Sequence, residues 1–396
     1  MRLRALVGLF GCLAAATGRC DSDDALNFSF GATLRYDTNL FLLPSYVDPQ
    51  TTLGKPRKSD WVSTAYAAIA VDKPYGLQRF QLEAKITAYR YQTFDFLDFN
   101  GKNYRAAWLW SLTPDLTGTL VAAQTEAPVS FADFRGRNLN VQTSQIQRAH
   151  VDYRVSGGWH VTGAYDHTTF KNSAVFTQVG NTDMDTLEGG VKYVATSGST
   201  LGIIQRESTA TYVGQVISPV TQLPGSYDQH ETLLRGRWEM SGASSLHGYL
   251  GWLARENNPF PDRNFSGVIG QIDYVWTPTG KLTLNAAIGR NLYPFLQGTS
   301  SYFSTNYINL VPAWAITAKT TARLTASYDI REYEGAIVPV PFLRRDKTAT
   351  GELGLEWAAM RTLTLTTYVR HGQRISNYPN FNYIDTVAGV TAGLKF

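Results

Sequence analysis

The sequence predicts an all-β fold: a transmembrane, antiparallel, up-and-down β-barrel of about 18 strands, with short periplasmic turns and long extracellular loops. Three observations carry this. Apolar and polar residues alternate with period two along most of the chain, tight turn signals recur about every 40 residues, and tryptophans collect beside those turns. The 396 residues include 34 glycines, 22 tyrosines and nine tryptophans, while only 17% are charged. After the amino-terminal segment no apolar run is long enough to cross a bilayer as a helix, so membrane crossing must come from strands.

The first element is "MRLRALVGLFGCLAAATGRC". Arg2 and Arg4, a short apolar stretch and small residues at Ala14, Ala16 and Gly18 have the layout of a secretory signal, cleaved before Thr17 or before Arg19. The second site makes 1–18 the signal peptide and 19–396 the barrel. Processing there removes Cys12 and leaves Cys20 alone, so no intramolecular disulfide is expected. The formal charge of +4 falls to about +2 once Arg2 and Arg4 are lost, too even for a nucleic-acid partner.

The strands follow. In "RFQLEAKITAY" the apolar set is Phe80, Leu82, Ala84, Ile86 and Ala88, while Gln81, Glu83, Lys85 and Thr87 face the other way. "KLTLNAAIGR", "ARLTASYDIR" and "TLTLTTYVR" repeat this alternation, which suits strands with one greasy and one wet face. Eight tight turns punctuate them: "KPYG", "TPDL", "SGGW", "TSGS", "SGAS", "TPTG", "TAKT" and "AAMR". Between neighbouring turns lie longer polar connections such as "TNLFLLPSYVDPQTTLGKPRKS", "EAPVSFADFRGRNLNVQTS" and "YEGAIVPVPFLRRD". Two strands around each long loop give the count of 18. All prolines but one, Pro312, are expected in turns and loops, because proline cannot donate to a ladder.

Trp110, Trp159, Trp238, Trp276, Trp314 and Trp357 each sit close to a short turn, as an aromatic girdle at one membrane edge requires. A soluble β-sandwich or propeller would have no reason to ring one edge with indoles. The chain stops on "VAGVTAGLKF", in which Phe396, Leu394, Ala392, Val390 and Ala388 share a face. This strand resembles the C-terminal recognition strand of bacterial outer-membrane proteins. The resemblance implies that Phe396 and Leu394 are read by the barrel-assembly machinery, and that the barrel resides among the lipids of a Gram-negative outer membrane.

If the apolar set faces lipid, the opposite parity faces the lumen. That register puts Arg35, Asp37, Glu83, Lys85, Tyr89, Arg105, Arg148, Asp152, Arg154, Arg206, Arg235, Arg237, Tyr249, Arg323, Asp329, Arg331, Glu352, Glu356, Tyr368 and Arg370 inside, together with Glu188 and Asp273. Hydrated charges cost little along a water-filled channel. The same residues could line the path of a hydrated polymer, and tyrosine suits sugars because its ring packs against C–H faces. Of the six histidines, His160 and His167 lie on one strand with opposite parity and cannot converge on one site. No nucleophile elbow or metal-ligand spacing occurs, so neither an enzyme nor a metal or other cofactor is expected.

"LRYDTNLF", Leu34 to Phe41, resembles a signature near the start of EpsL-type outer-membrane proteins of exopolysaccharide gene clusters and of related barrel porins. Thr38 stands where that signature has a second Asp. The resemblance implies export of a polysaccharide, with separate periplasmic scaffold and inner-membrane synthesis proteins as partners. A general diffusion porin for small hydrophilic solutes is the alternative, with an outer-membrane lipid-modifying enzyme as a more distant one. Asp37 and Asn39 can also bond back to local amides and fix the exit of the first loop.

Overall fold

The computed structural model describes residues 25–133, 137–215, 223–297, 300–337 and 339–396. The expected signal peptide, Cys12 and Cys20 lie outside the described residues. Among the described residues, eighteen strands account for nearly all regular structure. In chain order they are β1 (Leu26–Asp37), β2 (Asp60–Tyr75), β3 (Gln78–Tyr91), β4 (Phe99–Thr113), β5 (Leu116–Pro128), β6 (Val141–Ser156), β7 (Trp159–Asn172), β8 (Thr182–Val194) and β9 (Thr200–Tyr212). They continue as β10 (Ser226–Ser241), β11 (Ser244–Asn258), β12 (Phe265–Thr279), β13 (Leu282–Gln297), β14 (Ser300–Thr317), β15 (Thr320–Ala336), β16 (Arg345–Ala358), β17 (Leu363–Ser376) and β18 (Tyr383–Lys395). One short helix, α1 (Pro49–Leu53), interrupts the first loop, its start capped by Asp48.

Each strand pairs antiparallel with its chain neighbours, and β1 pairs with β18, so the sheet is a ring. Closure matters because backbone groups at a sheet edge find no partner in lipid. The last residue takes part: Phe28 and Phe396 exchange backbone hydrogen bonds of 2.8 Å in both directions, and the Phe396 ring meets Phe30 edge-on. All eight expected turns connect consecutive strands, and the long connections lie at the opposite end.

Along every strand one parity is apolar and exposed. Ile203 is 64% and Leu250 60% accessible, with Leu34, Leu82, Leu120, Val191, Ile272 and Val390 also exposed around the ring. A belt of this extent on a water-facing protein would drive association. Here it meets the hydrocarbon, and the molecule is an outer-membrane barrel. The six girdle tryptophans share the outward parity, and five are exposed; Trp110 instead lies against Gly118.

The expectation for proline needs correction. Pro294 lies inside β13, opposite Tyr302, and Pro74, Pro128 and Pro278 lie within the ends of β2, β5 and β12. Strand ends tolerate a missing donor, because terminal groups reach water. Pro312 does lie within a strand, and the β14–β15 pairing breaks between Leu310 and Ala313.

Candidate transport lumen

The connection between β5 and β6 carries Asp133 to β15 and β17, on the opposite side of the ring. There it meets Arg331, Tyr333, Arg344 and Arg374. Arg331 and Arg374 have the parity opposite to the exposed Leu324, Tyr328, Val369 and Ile375 of the same strands, so theirs is the lumen face. Ladder by ladder, the same parity holds all twenty residues assigned to the lumen above.

They do not form one site. On β6 to β10 the inner charges are neutralised in pairs. Arg148 clamps Asp166 with two hydrogen bonds, Asp152 is shared by His160 and Lys192, and Arg237 pairs with Glu239. Glu188 takes Arg206 and Arg235, each at 2.8 Å, and Arg206 reaches on to Glu231 at 3.1 Å. Arg154 sits at the turn end, paired with Asp115. On β15 to β4 the charges are looser. Arg331 contacts Asp329 at 3.4 Å and Arg370 holds Asp385, while Lys85 stands 4.2 Å above the Tyr66 ring and Arg105 reaches Gln81. Glu83, Arg323, Glu352 and Glu356 make no ion pair among the described residues.

Two of the tyrosines are less available than their parity suggests. Tyr89 stacks on Phe99 with centroids 4.5 Å apart, beneath the loop cluster, and Tyr249 donates its hydroxyl to Asn291. Asp37 is buried under the first loop. It accepts from the Asn39 amide at 2.9 Å, while the Asn39 side chain bonds Leu43 and Ile384 carbonyls and accepts from the Leu43 amide. The "LRYDTNLF" residues therefore fix how the chain leaves β1.

Two apolar clusters lie at the outer mouth, the first built largely of loop residues and the second largely of strand ends. Leu40, Phe41, Leu43, Phe94 and Leu97 pack on the inward Val62 and Tyr91, with Phe131 against Phe41 at 4.5 Å. Tyr212, Tyr227, Leu296 and Ile337 form the second cluster. Between them Asp133 accepts from Arg344 at 2.8 Å, Arg374 at 3.1 Å and Arg331 at 3.2 Å. Arg374 also donates to the Ala132 carbonyl, and Asp346, wholly buried, shares Arg344. Burial opposes ionisation of Asp133, but the three guanidiniums outweigh it and hold the carboxyl below the usual carboxylate range. Arg344 is held above its ordinary value: Asp346, Tyr333 and Asp133 overcome the burial that opposes its charge.

Sequence reasoning missed Asp133, Tyr333, Arg344, Asp346 and Arg374. Tyr333, Asp346 and Arg374 continue the inward parities of Arg331, Glu352 and Arg370, which is a usable signal, whereas Asp133 and Arg344 lie in loops and carry none. The histidine geometry separates as parity required: His160 bonds Asp152 inside, and His167 bonds Asp185 on the outer face.

Residues 238–396, the last eight to nine strands, match the family model described as "Putative beta-barrel porin 2". No curated protein matches the chain. Three solved outer-membrane structures share its fold. OpdK of Pseudomonas aeruginosa, solved with vanillate, has 11% identity and a TM-score of 0.51, covering 94% of this chain and 99% of its own. OccAB3 of Acinetobacter baumannii has 11% identity, a TM-score of 0.52 and the same coverage. OccK3 of Pseudomonas aeruginosa has 14% identity, a TM-score of 0.50 and coverage of 94% and 95%. The ring of 18 strands, its lipid belt and these likenesses make the chain a porin-like outer-membrane β-barrel.

Proposed function

We propose that the protein is a porin, a channel by which small hydrophilic solutes cross the outer membrane, narrowed at its outer mouth where Asp133 is pinned to the far wall. The observation that carries this is the inner face. Arg, Lys, Asp and Glu recur on the inward parity of strands all round the ring, and such a wall is stable only around water. The fold likeness to OpdK, a protein solved with vanillate, supports a solute of modest size. The test is a planar bilayer: purified, refolded barrel is expected to give stepwise ion currents. A folded barrel that passes no current, even with Asp133→Asn freeing the mouth, would reject the reading.

A second, narrower reading is export of an exopolysaccharide, supplied by separate periplasmic and inner-membrane synthesis proteins. The resemblance of "LRYDTNLF" favours it. A deletion strain that secretes its polysaccharide at the parental level would dispose of it. In both readings the barrel-assembly machinery receives the last strand through Phe396 and Leu394.

A further inference from the structure

Across five adjacent strands the lumen face carries a row of mirrored order. Arg323 on β15 lies opposite Gly354 on β16, Gly354 opposite Tyr368 on β17, Tyr368 opposite Gly389 on β18, and Gly389 opposite Arg35 on β1. Four strand spacings put the two arginine backbones about 19 Å apart. The Tyr368 ring lies down on Gly389: a Cβ there would stand 2.6 Å from two ring carbons. Gly354 on the other side leaves open wall, with nothing closer than 3.8 Å to a Cβ. A ring pressed flat against the wall turns its other face to the channel.

Arg35 acts on Asp37 only through space, and Arg323 has no charged partner among the described residues. Neither makes an ion pair or a side-chain hydrogen bond among the described residues, and the Nε of Arg35 is buried without a partner. A buried guanidinium N–H without an acceptor is costly. The carboxylate nearest Arg35 along its strand, Asp37, is already bonded to Asn39. The next row toward the turns holds one carboxylate, at its Arg323 end, and three hydroxyls: Glu356 lies opposite Thr366, Thr366 opposite Thr391 and Thr391 opposite Thr33, so the Arg35 end is the one clear of negative charge. The Thr33 and Thr391 hydroxyls are 2.8 Å apart.

We propose that this row binds a pyranose unit carrying a carboxylate, as in an acidic saccharide. The sugar's C–H face stacks on Tyr368, its carboxylate takes Arg35 or Arg323, and its hydroxyls meet the threonine row. The arginines select an anion, and the hydroxyl row selects a sugar over an aromatic acid, which has no ring of hydroxyls to offer. The inference rests on the channel reading and names a solute class for it.

Titration calorimetry of the full-length barrel in detergent, with trigalacturonate, maltotriose and benzoate as probes, tests the site. Trigalacturonate is expected to bind more tightly than either other probe. Tyr368→Ala should weaken that binding about tenfold, and Tyr368→Phe should leave it within about twofold. The double variant Arg35→Gln, Arg323→Gln should bring trigalacturonate down to the level of maltotriose. Unchanged binding in Tyr368→Ala, or benzoate or maltotriose binding as tightly as trigalacturonate, would overturn the proposal. If Tyr368→Ala loses the heat-dependent gel shift of a folded barrel, the arginine pair carries the test alone. Ion conduction without trigalacturonate binding would sink the site and leave the channel standing, whereas binding without conduction would do the reverse.

Discussion

Asp133 stands or falls on three guanidiniums. Its carboxyl lies in the mouth, where burial alone would push its pKa up. Removing it leaves Arg374, whose side chain is 2% exposed, and Arg344 competing for Asp346 alone. Breaking a buried ion cluster by deleting one partner costs about 3 kcal/mol, so Asp133→Asn is expected to release the β5–β6 connection and raise single-channel conductance. The pH dependence has a definite sign. Because the folded carboxyl is held below its unfolded value, its contribution is complete above about pH 4 and is lost as pH falls through the depressed folded value. Conductance should therefore be flat from neutral pH down to that range and rise only below it; a rise centred near pH 6 would assign the pinning to another group. None of this was legible in "VSFADFRGRNL", because the partners of Asp133 lie 198 to 241 residues away and a lone loop aspartate looks like any solvated one. Arg374 was closer to reach, being the next inward arginine after Arg370.

Strands were the most legible feature because a two-residue period leaves no choice of face once one residue is placed. The "RFQLEAKITAY" and "ARLTASYDIR" windows put Glu83, Lys85, Arg323 and Asp329 on the inner side, where the ladders hold them. Prolines depart from the turn-and-loop expectation, since Pro294 sits in an outer strand end and Pro312 is accommodated by a gap in one ladder. Which tyrosines lie flat was hidden, because that depends on a glycine in the adjacent strand. Tyr66 covers Gly31 as Tyr368 covers Gly389, and an added Cβ would sit 2.3 and 2.6 Å from the respective ring carbons. Gly31→Ala and Gly389→Ala must lift these rings and should each destabilise the barrel by about 1–3 kcal/mol. Gly351→Ala on β16, where a Cβ meets nothing within 4 Å, should be close to neutral. The urea midpoint of refolded protein in lipid vesicles compares the three.

Closure joins strands from opposite ends of the chain through nine residue pairs, and the last residue adds to them. Phe396 contributes both backbone hydrogen bonds to Phe28 and a ring contact to Phe30. Deleting Phe396 should lower the amount of heat-modifiable barrel recovered from outer membranes several-fold without changing synthesis, as measured by fractionation and pulse labelling. A C-terminal aromatic on an alternating strand made this seam visible in advance; how the loops fill the mouth was not, since their contacts come from chain segments with no shared pattern. The division of the inner wall has a further effect. On β6 to β10, charges already spend their attraction on one another, so a passing ion gains little there. Along β15 to β4 Glu83, Arg323, Glu352 and Glu356 have no ion-pair partner among the described residues and can trade hydration for a traveller. Transit should thus be lopsided, with solutes hugging one flank of the tunnel while the other serves as an inert bank.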